Sequence, residues 1–206
     1  MAAPPAAPVP LITDRPWAAL GLVVGPVAFV TAWALGGART PGYSAIDDAI
    51  SRIAAAGAPQ RGLMTAGFVI YGASLLVGSQ GLRRSPLSRC WVLAAINGAA
   101  TLGVALTPLE HSATVDLLHG ITATVGYVSI SALPLVSAPV LARLGRRRAA
   151  QASVAIGIVS AACLVGTTLT EANGAFQRAG LTAGDVWLVA TGVALFRSSR
   201  RSPAPR

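Results

Sequence analysis

Long apolar stretches dominate this 206-residue chain, and polar residues are confined to short segments between them. Six stretches approach or reach the roughly 20 residues that an α-helix needs to cross a bilayer. They cover residues 17–36, 61–82, 90–109, 115–141, 151–170 and 181–196. The fourth carries Pro134 and Pro139, which should kink it or end it early, and the sixth is short and contains Asp185. The pattern predicts an all-α polytopic transmembrane bundle of six helices.

The segments that flank these stretches have a different composition. Residues 1–16 are rich in Ala and Pro, and residues 197–206 are rich in Arg, Ser and Pro. We interpret both as disordered tails around a transmembrane domain at 17–196. The first stretch is longer than the apolar segment of a typical cleaved signal peptide, and it follows a single arginine, so we interpret it as a span.

Composition supports a bilayer as the surroundings of this chain. Only 11% of the residues are charged and 53% are hydrophobic, whereas soluble domains contain about a quarter charged residues. The net charge of +9 comes from sixteen arginines that stand in short runs. These runs lack the interleaved aromatic residues that stack on bases, which argues against nucleic acid as a partner. Neither Cys90 nor Cys163 belongs to a metal or disulfide motif.

The charges also predict a direction. Twelve of the sixteen arginines fall in one alternating set of connecting segments, whereas the other set holds both histidines and most carboxylates. Because arginine-rich loops stay in the cytoplasm, we expect a multi-pass plasma-membrane protein with both termini cytoplasmic. The carboxylates assigned to the outer side are Asp47, Asp48, Glu110, Asp116, Glu171 and Asp185.

The first outer loop has a helical pattern of its own. Residues 44–47, Ser-Ala-Ile-Asp, resemble a capping box with Asp in place of Glu. Ile46, Ile50 and Ile53 follow at helical spacing, and Gly57 and Pro59 end the pattern. The opposite face carries Asp47, Asp48, Ser51 and Arg52. We predict a short amphipathic helix on the outer membrane surface or on the mouth of the bundle.

Residues 107–119 contain the densest group of ionisable side chains. Asp116 and His119 are three residues apart, so a helix places them on one face, where the carboxylate could orient the imidazole as in a general-base pair or a metal site. Glu110 precedes them, and His111 is expected to be an exposed loop residue. The His-Glu-x-x-His motif is absent, and a structural polar cap is favoured over catalysis.

Stripes of small residues predict where the helices pack. They lie at steps of three and four along the first, second and fourth stretches, and small residues let membrane helices approach closely. In the third stretch, Asn97 and Thr101 are predicted to form an interhelical hydrogen-bonding pair. The members of the first two stripes are Gly21, Gly25, Ala28, Ala32 and Gly36, then Gly67, Tyr71, Ser74 and Gly78.

Two passages resemble a known family. Residues 41–59, which run Pro-Gly-Tyr-Ser-Ala-Ile-Asp-Asp and onward, lead into a span with Phe-Val-Ile-Tyr-Gly at 68–72. Together with Thr-Pro-Leu-Glu at 107–110 and Leu-His-Gly at 118–120, they resemble the "domain of unknown function 998" family. Leu109-Glu110 stands where that family commonly has Thr-Asp, and Ile53-Ala54 where it has Leu-Gly. The resemblance implies a six-helix membrane protein without an established activity. Its motifs match at Ser44, Asp47, Ser51, Glu110 and His119.

These features leave three hypotheses for function. The favoured one is a non-enzymatic membrane protein that binds or moves a lipid or small molecule at an outward-facing polar pocket. The second is a membrane-embedded metal-dependent hydrolase, and the third is a scaffold or partner subunit. The sequence predicts no metal or cofactor. The one partner that it predicts is the lipid bilayer, and it identifies no protein partner. The candidate binding cluster is Ser44, Asp47, Ser51, Glu110, Asp116 and His119.

Overall fold

Six long apolar helices form the protein, which confirms the predicted all-α membrane bundle. The computed structural model describes residues 8–201, and these residues contain no strand. The helices that are long and apolar enough to cross a membrane are called spans 1 to 6. They are Pro16–Ala38, Arg61–Arg83, Ser88–Leu106, Ala113–Arg143, Arg147–Gly166 and Asn173–Arg201. Span 1 turns at Leu20, between Pro16–Ala19 and Gly21–Ala38, and span 3 has a 3-10 turn, Ser88–Cys90, before Trp91–Leu106.

Spans 4 and 6 are longer than the sequence indicated. Span 4 continues through Pro134 and Pro139 to Arg143, so of the two predicted effects of these prolines, a kink or an early end, the early end does not occur. A chain that left the helix at this depth would expose unpaired backbone groups to hydrocarbon, and membrane helices therefore tolerate proline. Span 6 begins eight residues before the predicted boundary of 181. Its first two turns carry Gln177 and Arg178, whose polarity shortens the apolar stretch in the sequence.

Each span packs on its neighbours in sequence, and span 1 also packs on span 6. Small residues bring the backbones together at these contacts. A β-carbon built on Gly21 would stand 2.1 Å from the carbonyl oxygen of Ser74, and one on Gly72 would stand 2.7 Å from that of Gly98. The predicted stripes of spans 1 and 2 are therefore packing seams. Serine side chains add polar contacts elsewhere, since Ser160 Oγ donates to the Gly180 carbonyl at 2.8 Å.

The alternation of the spans gives the bundle two chemically different ends. We call them the arginine end, with Arg83 and residues 143–148, and the carboxylate end, with the loops after spans 1, 3 and 5. At the arginine end, residues 8–15, which belong to the predicted tail 1–16, pack on the bundle. The Val9 amide donates to the Leu144 carbonyl at 3.0 Å, and Leu11 is buried. Span 6 also extends to Arg201, into the predicted tail. Residues 1–7 and 202–206 lie outside the described part.

A short helix does form in the first loop, but it differs from the predicted one. It is a 3-10 helix over Ile50–Ala54, in which Ile50 and Ile53 eclipse each other and are both buried, whereas Ile46 is 61% exposed. The capping contacts of Ser44 form in the turn that precedes it. Its hydroxyl donates to Asp47 Oδ2 at 2.6 Å, and its amide donates to the neighbouring carboxylate of Asp48 at 2.8 Å.

Candidate functional site

A cavity of about 60 Å³, with both polar and apolar lining residues, lies inside the bundle below the 3-10 helix of the first loop. Its walls come from spans 1, 2, 3, 4 and 6. A buried water needs about 10–15 Å³ by this measure, so the space fits a few waters or a small polar group. Its polar lining residues are Ser51, Tyr71, Asn97, Thr101, His119, Thr122, Tyr127, Gln177 and Asp185.

Asp185 is the acidic residue of this cavity. Its side chain is 4% exposed, and Oδ1 accepts a hydrogen bond from the Tyr71 hydroxyl at 3.2 Å. Oδ2 is buried and has no hydrogen-bond partner within residues 8–201. The sequence analysis grouped Asp185 with the outer loops, but it lies three turns into span 6 and faces the interior.

Asn97 ties this carboxylate to two further spans. The Tyr71 hydroxyl lies 3.0 Å from Asn97 Oδ1, and Asn97 Nδ2 donates to the Gly126 carbonyl at 2.8 Å and to Ser129 Oγ at 3.1 Å. The predicted Asn97 and Thr101 pair does not act across helices, because Thr101 donates to the Asn97 carbonyl of its own helix. Asn97 alone bridges spans 2, 3 and 4. Since Tyr71 has one hydroxyl proton, Asn97 and Asp185 compete for it.

His119 lies at the end of the cavity nearer to the carboxylate end. It is 6% exposed, and its Nδ1 stands 2.6 Å from the Thr107 carbonyl oxygen. A carbonyl can only accept, so Nδ1 carries the proton in this contact. Within residues 8–201, Asp116 makes no hydrogen bond with His119 and instead accepts from the Glu110 amide at 2.9 Å. The predicted hydrogen bond between the carboxylate and the imidazole does not form, because each of them bonds instead to a backbone group at the end of span 3 or in the loop after it.

The predicted cluster therefore divides between the cavity and the surface. Ser51 and His119 line the cavity. The other four, Ser44, Asp47, Glu110 and Asp116, lie in the loops and the helix start at the carboxylate end. Glu110 stands there with a side chain 54% exposed, 3.5 Å from Arg52. His111 is exposed, as expected.

Three residues of span 6 hold the first loop over the cavity: Ala175, Gln177 and Arg178. The Ala175 amide donates to the Ile46 carbonyl at 2.8 Å. We call residues 43–54 the cover. The Ile50 amide donates to Gln177 Oε1 at 2.6 Å, and Gln177 Nε2 donates to the Tyr127 hydroxyl. Sequence reasoning missed Gln177, and its only local signal is an amide just before an apolar stretch.

Arg178 makes the largest set of contacts with the cover. Its Nη1 lies 2.8 Å from the Ala45 carbonyl oxygen and 3.1 Å from that of Asp48, and its Nη2 donates to the Tyr43 hydroxyl. The guanidinium also stacks on Trp33, 5.3 Å from the ring centre. Burial raises the pKa of Tyr43, and the nearby Arg178 charge opposes that rise. The sequence analysis treated Arg178 only as one of four arginines on the outer side.

The described residues do not assemble a metal site. Among residues 8–201, no three His, Cys, Asp or Glu side chains come together in a group that could hold a metal ion. His119 and Asp185 both line the cavity, but Glu110 and His111 are exposed in the loop outside it. The chemistry available inside is hydrogen bonding, together with one carboxylate.

A family model described as "Protein of unknown function (DUF998)" matches residues 23–194. The chain belongs to the DUF998 family. The DUF998 match begins in span 1 and ends in span 6, so it includes the cavity and its cover. Comparison with curated proteins and with solved structures finds no match.

Proposed function

We propose that this DUF998 protein binds a lipid or small molecule by a polar group in the cavity of the bundle and moves it toward or from the carboxylate end, without catalysing a reaction. The observation that carries the proposal is the buried Asp185 carboxylate, one oxygen of which has no hydrogen-bond partner among residues 8–201. A buried polar group without a partner costs stability. Ionisable residues inside membrane bundles commonly mark the path of a ligand or an ion.

The surroundings of Asp185 support a ligand that reaches it from the carboxylate end. Ser51, from the cover, and Asp185, from the middle of span 6, line the same space. The cover therefore stands between the cavity and the solvent at that end. Its attachments to span 6 are hydrogen bonds to Ala175, Gln177 and Arg178, which can break and re-form at lower cost than a helix can unfold.

The metal-dependent hydrolase has less support. It requires at least three protein ligands and an open position for water, and the candidate residues are divided between the cavity and the surface. No contact of the described residues favours a scaffold role over the other hypotheses.

The first test is whether a polar reagent reaches the cavity in a membrane. In a variant with Cys90 and Cys163 replaced by alanine, Thr101→Cys should react with methanethiosulfonate ethylammonium, because Thr101 lines the cavity. Ala99→Cys should react at least about tenfold more slowly. Ala99 lies on the same helix but on its exposed, apolar side, where lipid would suppress the reactive thiolate. The measurement is the labelling rate by mass spectrometry.

Asp47→Cys, in the exposed turn before the cover, serves as the positive control. If Thr101→Cys stays unlabelled over a time in which Asp47→Cys reacts completely, the cavity is closed to polar solutes and the proposed function is wrong. Equal rates for Thr101→Cys and Ala99→Cys would also contradict it.

We also propose that the protein lies in the plasma membrane with its carboxylate end outside, since arginine-rich loops stay in the cytoplasm. In intact cells, Asp47→Cys should react with a membrane-impermeant maleimide. Arg147→Cys, at the arginine end, should react only after permeabilisation. Labelling in the reverse order would overturn the orientation.

A further inference from the structure

An apolar groove of about 430 Å³ runs along the outside of the bundle between spans 1 and 6. Val27 and Val186 on its two sides are each 56% exposed, so the groove faces the surrounding hydrocarbon in a membrane. The Thr31 hydroxyl donates to the Val27 carbonyl of its own helix at 2.7 Å and thus offers little polarity to a ligand. The groove suits a hydrocarbon chain.

Asp185 lines both this groove and the interior cavity. A carboxyl group therefore lies between an apolar space open to lipid and an inner cavity that contains hydrogen-bonding side chains. Within residues 8–201 both ion pairs belong to Arg52, at the carboxylate end, so no arginine neutralises Asp185. The polar groups near it supply a single hydrogen bond, from Tyr71.

We propose that the ligand is an amine that carries a hydrocarbon chain. Its ammonium group would bind the Asp185 carboxylate, and its chain would lie in the groove between spans 1 and 6. The inference rests on the proposed function and adds the ligand's chemical class and a lateral route of entry from the bilayer.

Charge and shape together select this class. Burial without a counter-ion disfavours the charged form of a carboxyl group such as Asp185. An ammonium group supplies that counter-ion, whereas a phosphate, carboxylate or alcohol headgroup does not. A small hydrophilic cation would bind the carboxylate but would not use the groove. An alkylammonium uses both the carboxyl group and the groove. Its ammonium group donates up to three hydrogen bonds, and its chain loses contact with water in the groove.

The test compares the binding of octylammonium and methylammonium to the full protein in phosphatidylcholine nanodiscs. Dissociation constants come from the dependence of the thermal unfolding midpoint on ligand concentration. Each buried methylene strengthens binding up to about fourfold, so we expect octylammonium to bind at least about 100-fold tighter than methylammonium. Octanoate and 1-octanol should bind at least about tenfold more weakly than octylammonium.

Two variants separate the headgroup site from the groove. Asp185→Asn keeps the shape of the side chain and should weaken both amines at least about tenfold. Ala190→Phe places a ring in the groove from an exposed position of span 6. It should weaken octylammonium at least about tenfold and leave methylammonium unchanged. Val77→Phe, at an exposed position of span 2, is the matched control and should change neither.

Each contrary result has a separate meaning. If Ala190→Phe and Val77→Phe bind octylammonium equally, the chain only partitions into lipid and the inference about the groove is wrong. If Asp185→Asn binds both amines like the wild type, or if octanoate matches octylammonium, the amine is the wrong class. Neither result affects the proposed function as long as Thr101→Cys reacts inside the cavity, whereas loss of that reaction refutes both.

Discussion

Replacing Gly21 with alanine is expected to lower the free energy of unfolding by about 3 kcal/mol, which is near the upper end of the usual cost of overpacking. The added methyl would stand 2.1 Å from the Ser74 carbonyl oxygen and 2.7 Å from the Gly78 amide nitrogen. Both are backbone atoms of span 2, so no side-chain rotation relieves the clash and spans 1 and 2 must separate. A larger residue, as in Gly21→Leu, should prevent recovery of folded protein.

Gly120→Ala is the matched control, because it is the same substitution in a helix with no atom within 4 Å of the added carbon. Both variants are compared by thermal unfolding in the same detergent. The close packing of spans 1 and 2 would be contradicted if the two variants unfolded within about one degree of each other.

The helices of this protein could be predicted because their signal is local. A bilayer requires about 20 apolar residues in a row, and each of the six stretches approaches or reaches that length without reference to the others. The start of span 6 was misplaced for a related reason. Gln177 and Arg178 interrupt the apolar pattern, but in the structure they contact the cover instead of water.

The site was harder to predict, because its contacts join distant segments. Helical spacing placed Asp116 and His119 on one face, yet the nearest acceptor for the imidazole is the Thr107 carbonyl at the end of the preceding span. Side chains three residues apart on a helix can form a hydrogen bond, but their spacing does not show which other donors or acceptors compete for each of them. A backbone carbonyl that ends a helix leaves no mark in the sequence.

Asp185 shows a signal that was present but misinterpreted. An acidic residue within an apolar stretch is a functional hypothesis by default, whereas the sequence analysis treated it as a weakness of the sixth span and assigned it to the outer side. Its partner Tyr71 was noticed only as a member of a packing stripe. The pairing joins spans 2 and 6, so it required the fold.

Arg178→Met is expected to release the cover and raise the labelling rate of Thr101→Cys at least about tenfold. Methionine keeps much of the length of the side chain but donates no hydrogen bonds. The carbonyls of Ala45, Asp48 and Gly174 would each lose a donor. The Asp48 carbonyl keeps the Tyr43 hydroxyl as a donor, and the Gly174 carbonyl keeps the backbone amide one turn on in its own helix, so the Ala45 carbonyl is the acceptor left unsatisfied. Because an unsatisfied buried acceptor costs about 1–3 kcal/mol, we expect the free energy of unfolding to fall by that amount unless the cover moves to reach water.

Arg52→Met is the control, since it removes an arginine that belongs to the first loop itself. Arg52 contacts Asp48 and Glu110 at 3.4 and 3.5 Å with a side chain 55% exposed, and such surface ion pairs contribute about 0–1 kcal/mol. Its labelling rate and unfolding midpoint should stay close to the wild type. Arg178→Lys should restore little of the stability or of the slow labelling of the wild type. One ammonium group cannot replace a planar guanidinium that bonds three carbonyls and stacks on Trp33. If Thr101→Cys is labelled at the same rate in the Arg178→Met and Arg52→Met backgrounds, Arg178 does not hold the cover closed. The barrier between the cavity and the carboxylate end must then lie in other contacts, of which the Gln177 bond to Ile50 is the first to test.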